Sequence, residues 1–249
     1  APDCIYRAAR IVVAGIDDMQ RFKGIVRVRT IAEPREVVEE RALWKVLPRR
    51  DPIWIDGEIN AREWGTDTDT QAPERFYKGA SEVARSWAQW DREALYLAWR
   101  ITDSTPAVNV KSGTDRWMGD QVEFMIRAKA GIEAGSGFMK HTAEEFHLAI
   151  GPSADGPSVA ILANGSERVG QTLSKAEVAV RILPGKDKYE MEARIPWSEL
   201  GAYRPEPGDE ALWHMLIDWS TPDGGWSHNS KWIPGMHMAP TGWGAAHFF

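Results

Sequence analysis

Only one cysteine, Cys4, occurs in 249 residues. An intrachain disulfide is therefore impossible, and a zinc site built on cysteine is excluded. No apolar run approaches the roughly 20 residues that a helix needs to cross a bilayer. Positive charge is also scarce: 30 Lys and Arg stand against 36 Asp and Glu, a net charge of −6. That balance argues against nucleic acid as a partner, because phosphate binding wants a basic surface. A Ser-His-Asp motif, a His-Glu-x-x-His motif, a phosphate loop and an EF-hand-type loop are all missing.

Tryptophan is abundant instead, with 13 in the chain, six of them from Trp197 onward. Each ring is large and costly to expose, so the plain expectation for any one of them is a core position. Collectively they suit a protein that stacks aromatic planes on a ligand such as a sugar. The hydrophobic content of 43% and charged content of 27% are those of an ordinary globular protein.

Charge divides the chain near residue 50. The first 50 residues carry 11 cations against 7 anions, and the remainder 19 against 29. The sequence PRRDP at 48–52 is the best linker candidate, with two prolines in five residues. The expected organisation is an N-terminal extension over 1–50, able to contribute strands through Ile11–Val13 and Ile25–Ile31, followed by a β domain over 51–249. Whether EPREVVEERALWKVL forms a helix or a strand stays open.

After the linker, alternating runs recur. Leu95, Leu97, Trp99 and Ile101 alternate in one, Phe146, Leu148 and Ile150 in another. Tyr189, Met191, Ala193 and Ile195 form a third, and Trp213, Met215, Ile217 and Trp219 a fourth. Gly/Pro/Asp clusters such as GPSADGP and RPEPGDE separate them. This pattern predicts an all-β fold, an antiparallel β-sandwich with jelly-roll or immunoglobulin-like layering. The stretch DRWMGDQVEFMIR (115–127) raises a question. Val122, Phe124 and Ile126 take the core side of a strand, which sends Gln121, Glu123, Met125 and Arg127 to the other side, where water is expected. Glu145 and His147 take the same side of their own strand. Carboxylates, amides and histidines there can bond sugar hydroxyls while rings cover the C–H faces. Six residues of extended strand span about 20 Å, so Gly119 must bend the chain if Trp117 and Glu123 are to meet one ligand.

Five segments occur in a telling order: IDGEINAREW (55–64), WDREALYLAWRITDS (90–104), RWMGDQVEFMI (116–126), YEMEARIPWSEL (189–200) and HMAPTGWGAAHF (237–248). Together they resemble the family 9 carbohydrate-binding modules and the wider DOMON-like sandwich group over roughly residues 51–249. The resemblance implies a non-catalytic, secreted or periplasmic module that binds a glycan or polysaccharide, and it admits a place within a larger glycan-degrading protein. It makes Trp117 one wall of an aromatic clamp and Glu123 a partner of sugar hydroxyls. A family arginine falls at His147. The second clamp tryptophan falls near His237, where this chain departs from the pattern and Trp226 or Trp232 can supply a ring. Gln121 completes the candidate set.

Two alternatives accompany this reading. Relatives in the wider group hold haem, and Met125, His147, Met215, His237 and Met238 are potential axial ligands, provided two of them face one pocket. A glycan-active enzyme could draw acid–base chemistry from Glu144, Glu145 and His147. The resemblance also allows structural calcium, for which Asp56, Asp103 and Asp120 are the available strand-end acids.

Overall fold

A computed structural model describes residues 43–65, 73–127, 141–201, 203–233 and 243–249. Cys4 and the runs Ile11–Val13 and Ile25–Ile31 lie outside the described residues. The strands are β1 (Leu43–Pro48), β2 (Glu74–Lys78), β3 (Ser81–Trp90), β4 (Ala94–Thr102), β5 (Gln121–Arg127) and β6 (Glu145–Gly151). They continue with β7 (Ser158–Ala163), β8 (Glu177–Ile182), β9 (Lys188–Pro196), β10 (Glu210–Ser220), β11 (Trp226–Lys231) and β12 (Gly244–Phe248). A one-turn helix α1 (Ala61–Trp64) is capped by the Asn60 side chain, which accepts from the Glu63 N–H at 3.0 Å.

The fold is all-β, and its strands form one nearly closed sheet in the order β7-β6-β5-β10-β12-β1-β3-β4-β9-β8. β11 pairs with β10 and β2 with β3 off this path. β10 is long enough to divide one edge between two partners: Glu210–Trp213 pair with β12, and Leu216–Ser220 pair with β11. Its other edge carries β5 from Leu212 to Asp218.

β1 joins the two arms of the sheet. Leu43–Val46 run parallel to β12, and Leu47 and Pro48 run parallel to β3. The sheet therefore extends N-terminal of Asp51, on the far side of the expected linker. EPREVVEERALWKVL ends in a strand, and Pro48 sits at its last position, where a missing N–H costs no ladder bond. Trp44 and Val46 point into the core, where Trp44 packs against Trp213 and Trp232 at ring separations of 5.5 and 5.2 Å.

The core collects the alternating residues read from the sequence: Leu95, Leu97, Trp99, Ile101, Val122, Phe124, Ile126, Met191, Ile195, Trp213, Met215 and Ile217 are all buried. At about 1.5–3 kcal/mol per large side chain removed from water, this cluster is the main driving term. The faces turned away from it are also covered. Over β3 and β4, the segment 51–65 lays Ile53, Ile59 and Trp64 on Trp87, Tyr96 and Ala98.

Acids on the outer face of β9 hold that segment. Glu192 accepts from the Trp64 indole at 2.6 Å, the Gly57 N–H at 2.8 Å and the Asp56 N–H at 3.1 Å. Burial still pushes its carboxyl up to about 7. Glu190 accepts from the Ile59 N–H and pairs with Arg100 and Arg181. Gly57 has φ 84°, and a Cβ there would meet the Arg181 Cβ at 3.1 Å, so glycine is required. IDGEINAREW and YEMEARIPW are thus two halves of one contact. Similarly, the Trp197 indole donates to the Asp91 carbonyl at 2.8 Å, joining YEMEARIPW to WDREALYL.

β1 is expected to be indispensable. Trp44→Ala should cost about 3–5 kcal/mol by emptying a buried aromatic site, and a chain starting at Asp51 should melt far below the full chain or fail to fold. Thermal denaturation followed by near-UV circular dichroism decides this; equal melting temperatures for full and shortened chains would refute it.

Candidate functional site

The second face of β5, β6 and β10 departs from expectation. Gln121, Glu123, Met125, Arg127, Glu145 and His147 are buried rather than turned to water. The antiparallel register sets Gln121 opposite Asp218, Glu123 opposite Leu216 and Met125 opposite both His214 and His147. One half of this face is apolar, where Met125 and Leu216 pack with Trp243. Arg127 and Glu145 pair beside it at 3.4 Å, both fully buried.

The other half is a polar floor. His147 Nε2 contacts Glu123 Oε2, and Glu123 shares a hydrogen bond with Asp218. The Gln121 amide lies 3.4 Å from the Asp218 carboxyl. Turned end for end, that amide accepts from the Trp117 N–H and donates to the Arg116 carbonyl, both at 3.2 Å. A protonated Asp218 suits this orientation, because it can donate to the amide oxygen.

Burial sets the protonation of the group. It pushes Glu123 up to about 7, against the opposing pull of Asp218 as a hydrogen-bond partner and of the Lys231 charge. Asp218 rises well above the usual carboxylate range, first by burial and then by the charge of Glu123. His147 falls to about 4 because burial disfavours the imidazolium. The contact between His147 and Glu123 is therefore a hydrogen bond of a neutral imidazole, although its geometry is that of an ion pair. The two acids hold a proton between them at neutral pH, which gives the floor both donors and acceptors.

Two tryptophans stand at the rim, each 43% exposed. Trp117 lies on a 3₁₀ turn over Gly113–Met118, closed by the Gly119 N–H donating to the Arg116 carbonyl at 3.0 Å. This turn bends the chain where the sequence requires it. A Cβ on Gly119 would collide with the Asn109 side chain at 2.2 Å, so the bend depends on glycine. Trp226 begins β11, and its indole donates to Asp218 at 3.3 Å. Both residues are thus tied to the one register pair Gln121–Asp218, Trp117 through its backbone N–H and Trp226 through its indole. Asp120 locks the base of the turn by accepting from the Val108 and Ser220 N–H groups at 2.7 and 2.6 Å.

The remaining sequence candidates fall elsewhere. Trp232 packs on Trp44 and donates to Glu74 at 3.2 Å, on the core side of β11. His237 and Met238 lie outside the described residues. Met215 faces the core and accepts from the Trp99 indole at 3.0 Å, whereas Met125 and His147 are register neighbours on the opposite face, so Met215 shares no pocket with them. Of the acids considered for calcium, Asp56 accepts from the Glu58 N–H and Asp120 from the two groups above, while Asp103 accepts from the Thr105 N–H and lies close enough to Asp120 to raise its proton affinity. Among the described residues no group of three His, Cys, Asp or Glu is placed to hold a metal.

Three residues join the floor that the sequence reading passed over: Asp218, Asn229 and Lys231. Asn229 pairs with Asp218 and Lys231 with Leu216, which puts both on the floor side of β11. The signal for Asp218 was present, since WHMLIDW alternates and its polar members must share the face opposite Trp213 and Ile217. Asn229 and Lys231 needed the pairing of β11 with β10.

The shared proton has a measurable consequence. Above about pH 5 the unfolded chain has released protons that folded Glu123 and Asp218 retain, so this pair's contribution to stability falls as pH rises through 7. His147 acts in the opposite sense only between about 4 and 6.5. Asp218→Asn should therefore gain stability relative to wild type between pH 5 and pH 8. Melting curves at both values test it, and identical pH slopes for the two proteins would sink the idea.

Residues 55–238 match the family model described as "Carbohydrate family 9 binding domain-like". Among solved structures, the chain is similar to a family 9 carbohydrate-binding module from Caldicellulosiruptor kristjanssonii in complex with cellotriose. The identity is 16%, the TM-score 0.60, and the match covers 83% of this chain and 93% of that one. A module of the same family and organism in complex with glucose matches at 15% identity and TM-score 0.59, over 82% and 95% of the two chains. A candidate carbohydrate-binding protein from Bacteroides uniformis matches at 14% and 0.55, over 83% and 99%. Comparison with curated proteins returns no match. The family match spans well over half of the sequence, and the chain belongs to the family 9 carbohydrate-binding-domain-like proteins.

Proposed function

We propose that this protein is a non-catalytic carbohydrate-binding module whose ligand sits between Trp117 and Trp226, above the floor of Gln121, Glu123, His147 and Asp218. One observation carries the reading: two half-exposed tryptophans, Trp117 held by its backbone N–H and Trp226 by its indole, flank a single register pair beside buried groups that both donate and accept hydrogen bonds. Rings of this kind cover the C–H faces of a sugar, and a proton-sharing acid pair matches hydroxyls, which are themselves donors and acceptors. Asn229 and Lys231, both half-buried, are the floor groups most open to a ligand, and Glu123 follows at 6% exposure. Trp226 takes the role of the second clamp ring.

The ligands of the similar modules, cellotriose and glucose, make gluco-oligosaccharides the first class to test. Two arms of the sheet enclosing one core support a sandwich reading of the layers. No helix among the described residues is long and apolar enough to cross a membrane. A secreted or periplasmic setting, within a larger glycan-degrading protein, fits a module of this kind.

A glycan array followed by isothermal titration tests the assignment. Trp117→Ala should nearly abolish binding, because stacking and apolar burial by an indole contribute a few kcal/mol. Trp226→Ala should weaken it comparably. Glu123→Gln should cost about one to two orders of magnitude, the worth of one hydrogen bond to a charged group. Trp117→Ala should keep the wild-type melting temperature, since the ring is exposed. Unchanged affinity in both tryptophan variants would place the ligand elsewhere.

A further inference from the structure

A second feature lies at the other end of the sheet. β4 runs from Ala94 to Thr102, eight steps of about 3.3 Å, or roughly 26 Å. The Trp219 indole donates to the Thr102 carbonyl at 3.0 Å, which places that end beside the last turn of β10 and the rim tryptophans. At the opposite end the Trp197 N–H donates to the Glu93 carbonyl at 3.0 Å. Here a cleft of about 490 Å³ opens, with Arg92, Lys175, Arg194 and Arg204 around it and Trp197 in its wall. Glu93 is the one acid of the lining.

Four cations on one cleft are unexpected in a chain that carries 19 cations against 29 anions after residue 50. Arg194 is balanced by Glu177 at 3.0 Å and more loosely by Glu93 at 3.9 Å. Arg92, Lys175 and Arg204 are exposed and form no ion pair with another described residue. Like charges gathered without partners raise the local potential and concentrate anions. Guanidinium groups also present paired N–H donors that can meet two oxygens of a carboxylate or of a sulfate group. The volume is that of a small-molecule site rather than of a long polyanion track, and the net charge of −6 disfavours nucleic acid.

We propose that this cleft binds the carboxylate or sulfate group of an acidic polysaccharide, at a site separate from the tryptophan clamp. Arg92, Lys175 and Arg204 hold the oxyanion, and the surrounding wall of Pro196, Trp197 and Ser198 accommodates the sugar that bears it.

Isothermal titration of the full chain at 50 mM salt, with tetragalacturonate as the uronate probe and a sulfated disaccharide as the other, tests this and separates the two sources. At least one probe should bind. The affinity should fall tenfold or more in the double variant Arg92→Ala with Arg204→Ala, and again when salt is raised to 500 mM. Lys175→Ala, a milder change, should weaken the same probe several-fold. Trp117→Ala should leave it unchanged, and the cleft variants should leave cellotriose binding unchanged, so failure of the clamp and failure of the cleft are distinguishable. Absence of binding by both probes at 50 mM salt would overturn the proposal. So would full affinity in a double variant that melts like wild type, or tighter binding of short single-stranded DNA than of either glycan through the same residues.

Discussion

The register that sets Gln121 of β5 opposite Asp218 of β10 controls the whole candidate site. It aligns one amide and two acids on a single face, and it ties a tryptophan to each end of the pair. Sliding β5 by one residue would send Val122 and Phe124 to the floor and Glu123 into the core, which burial forbids. The apolar side of the strand therefore fixes the polar side. Asp120 strengthens the arrangement by capping the Ser220 end of β10 while holding the loop before the Trp117 turn.

A common theme joins this floor to the contact beneath residues 51–65. Both place carboxyl groups on the face of the sheet turned away from the core, and both cover them. In each case burial pushes the acid toward neutrality while N–H donors or neighbouring acids share its oxygens. The outcomes differ. Glu192 is saturated by three donors from one segment and works as a clasp. The Glu123–Asp218 pair lies next to exposed rings and keeps hydroxyl-like versatility. The motifs that carry the family resemblance divide the same way: IDGEINAREW, WDREALYL and YEMEARIPW mostly hold the sheet together, and RWMGDQVEF builds the candidate site.

Much of this was legible in the residues themselves. Alternation in LYLAWRI, VEFMI, EFHLAI, YEMEARI and WHMLIDW identified β4, β5, β6, β9 and β10, because the core face of a strand must be apolar at every second position. The same parity put Gln121, Glu123 and His147 on one face, and Gly119 marked the bend beneath Trp117. Composition excluded an intrachain disulfide and a cysteine-based zinc site outright.

Tertiary structure decided what parity leaves open. A period of two says that Glu123 lies opposite the core but not whether water reaches it; here a second packed face buries it and changes its proton affinity. The partition of β10 between β12 and β11 brought Trp226, Asn229 and Lys231 to the floor and turned Trp232 toward Trp44. The strand Leu43–Pro48 crossed a boundary that charge and proline content suggested, because pairing partners far along the chain, β12 and β3, outweigh local composition. Local sequence sets which way a side chain points; contacts with other segments of the chain set what it meets there.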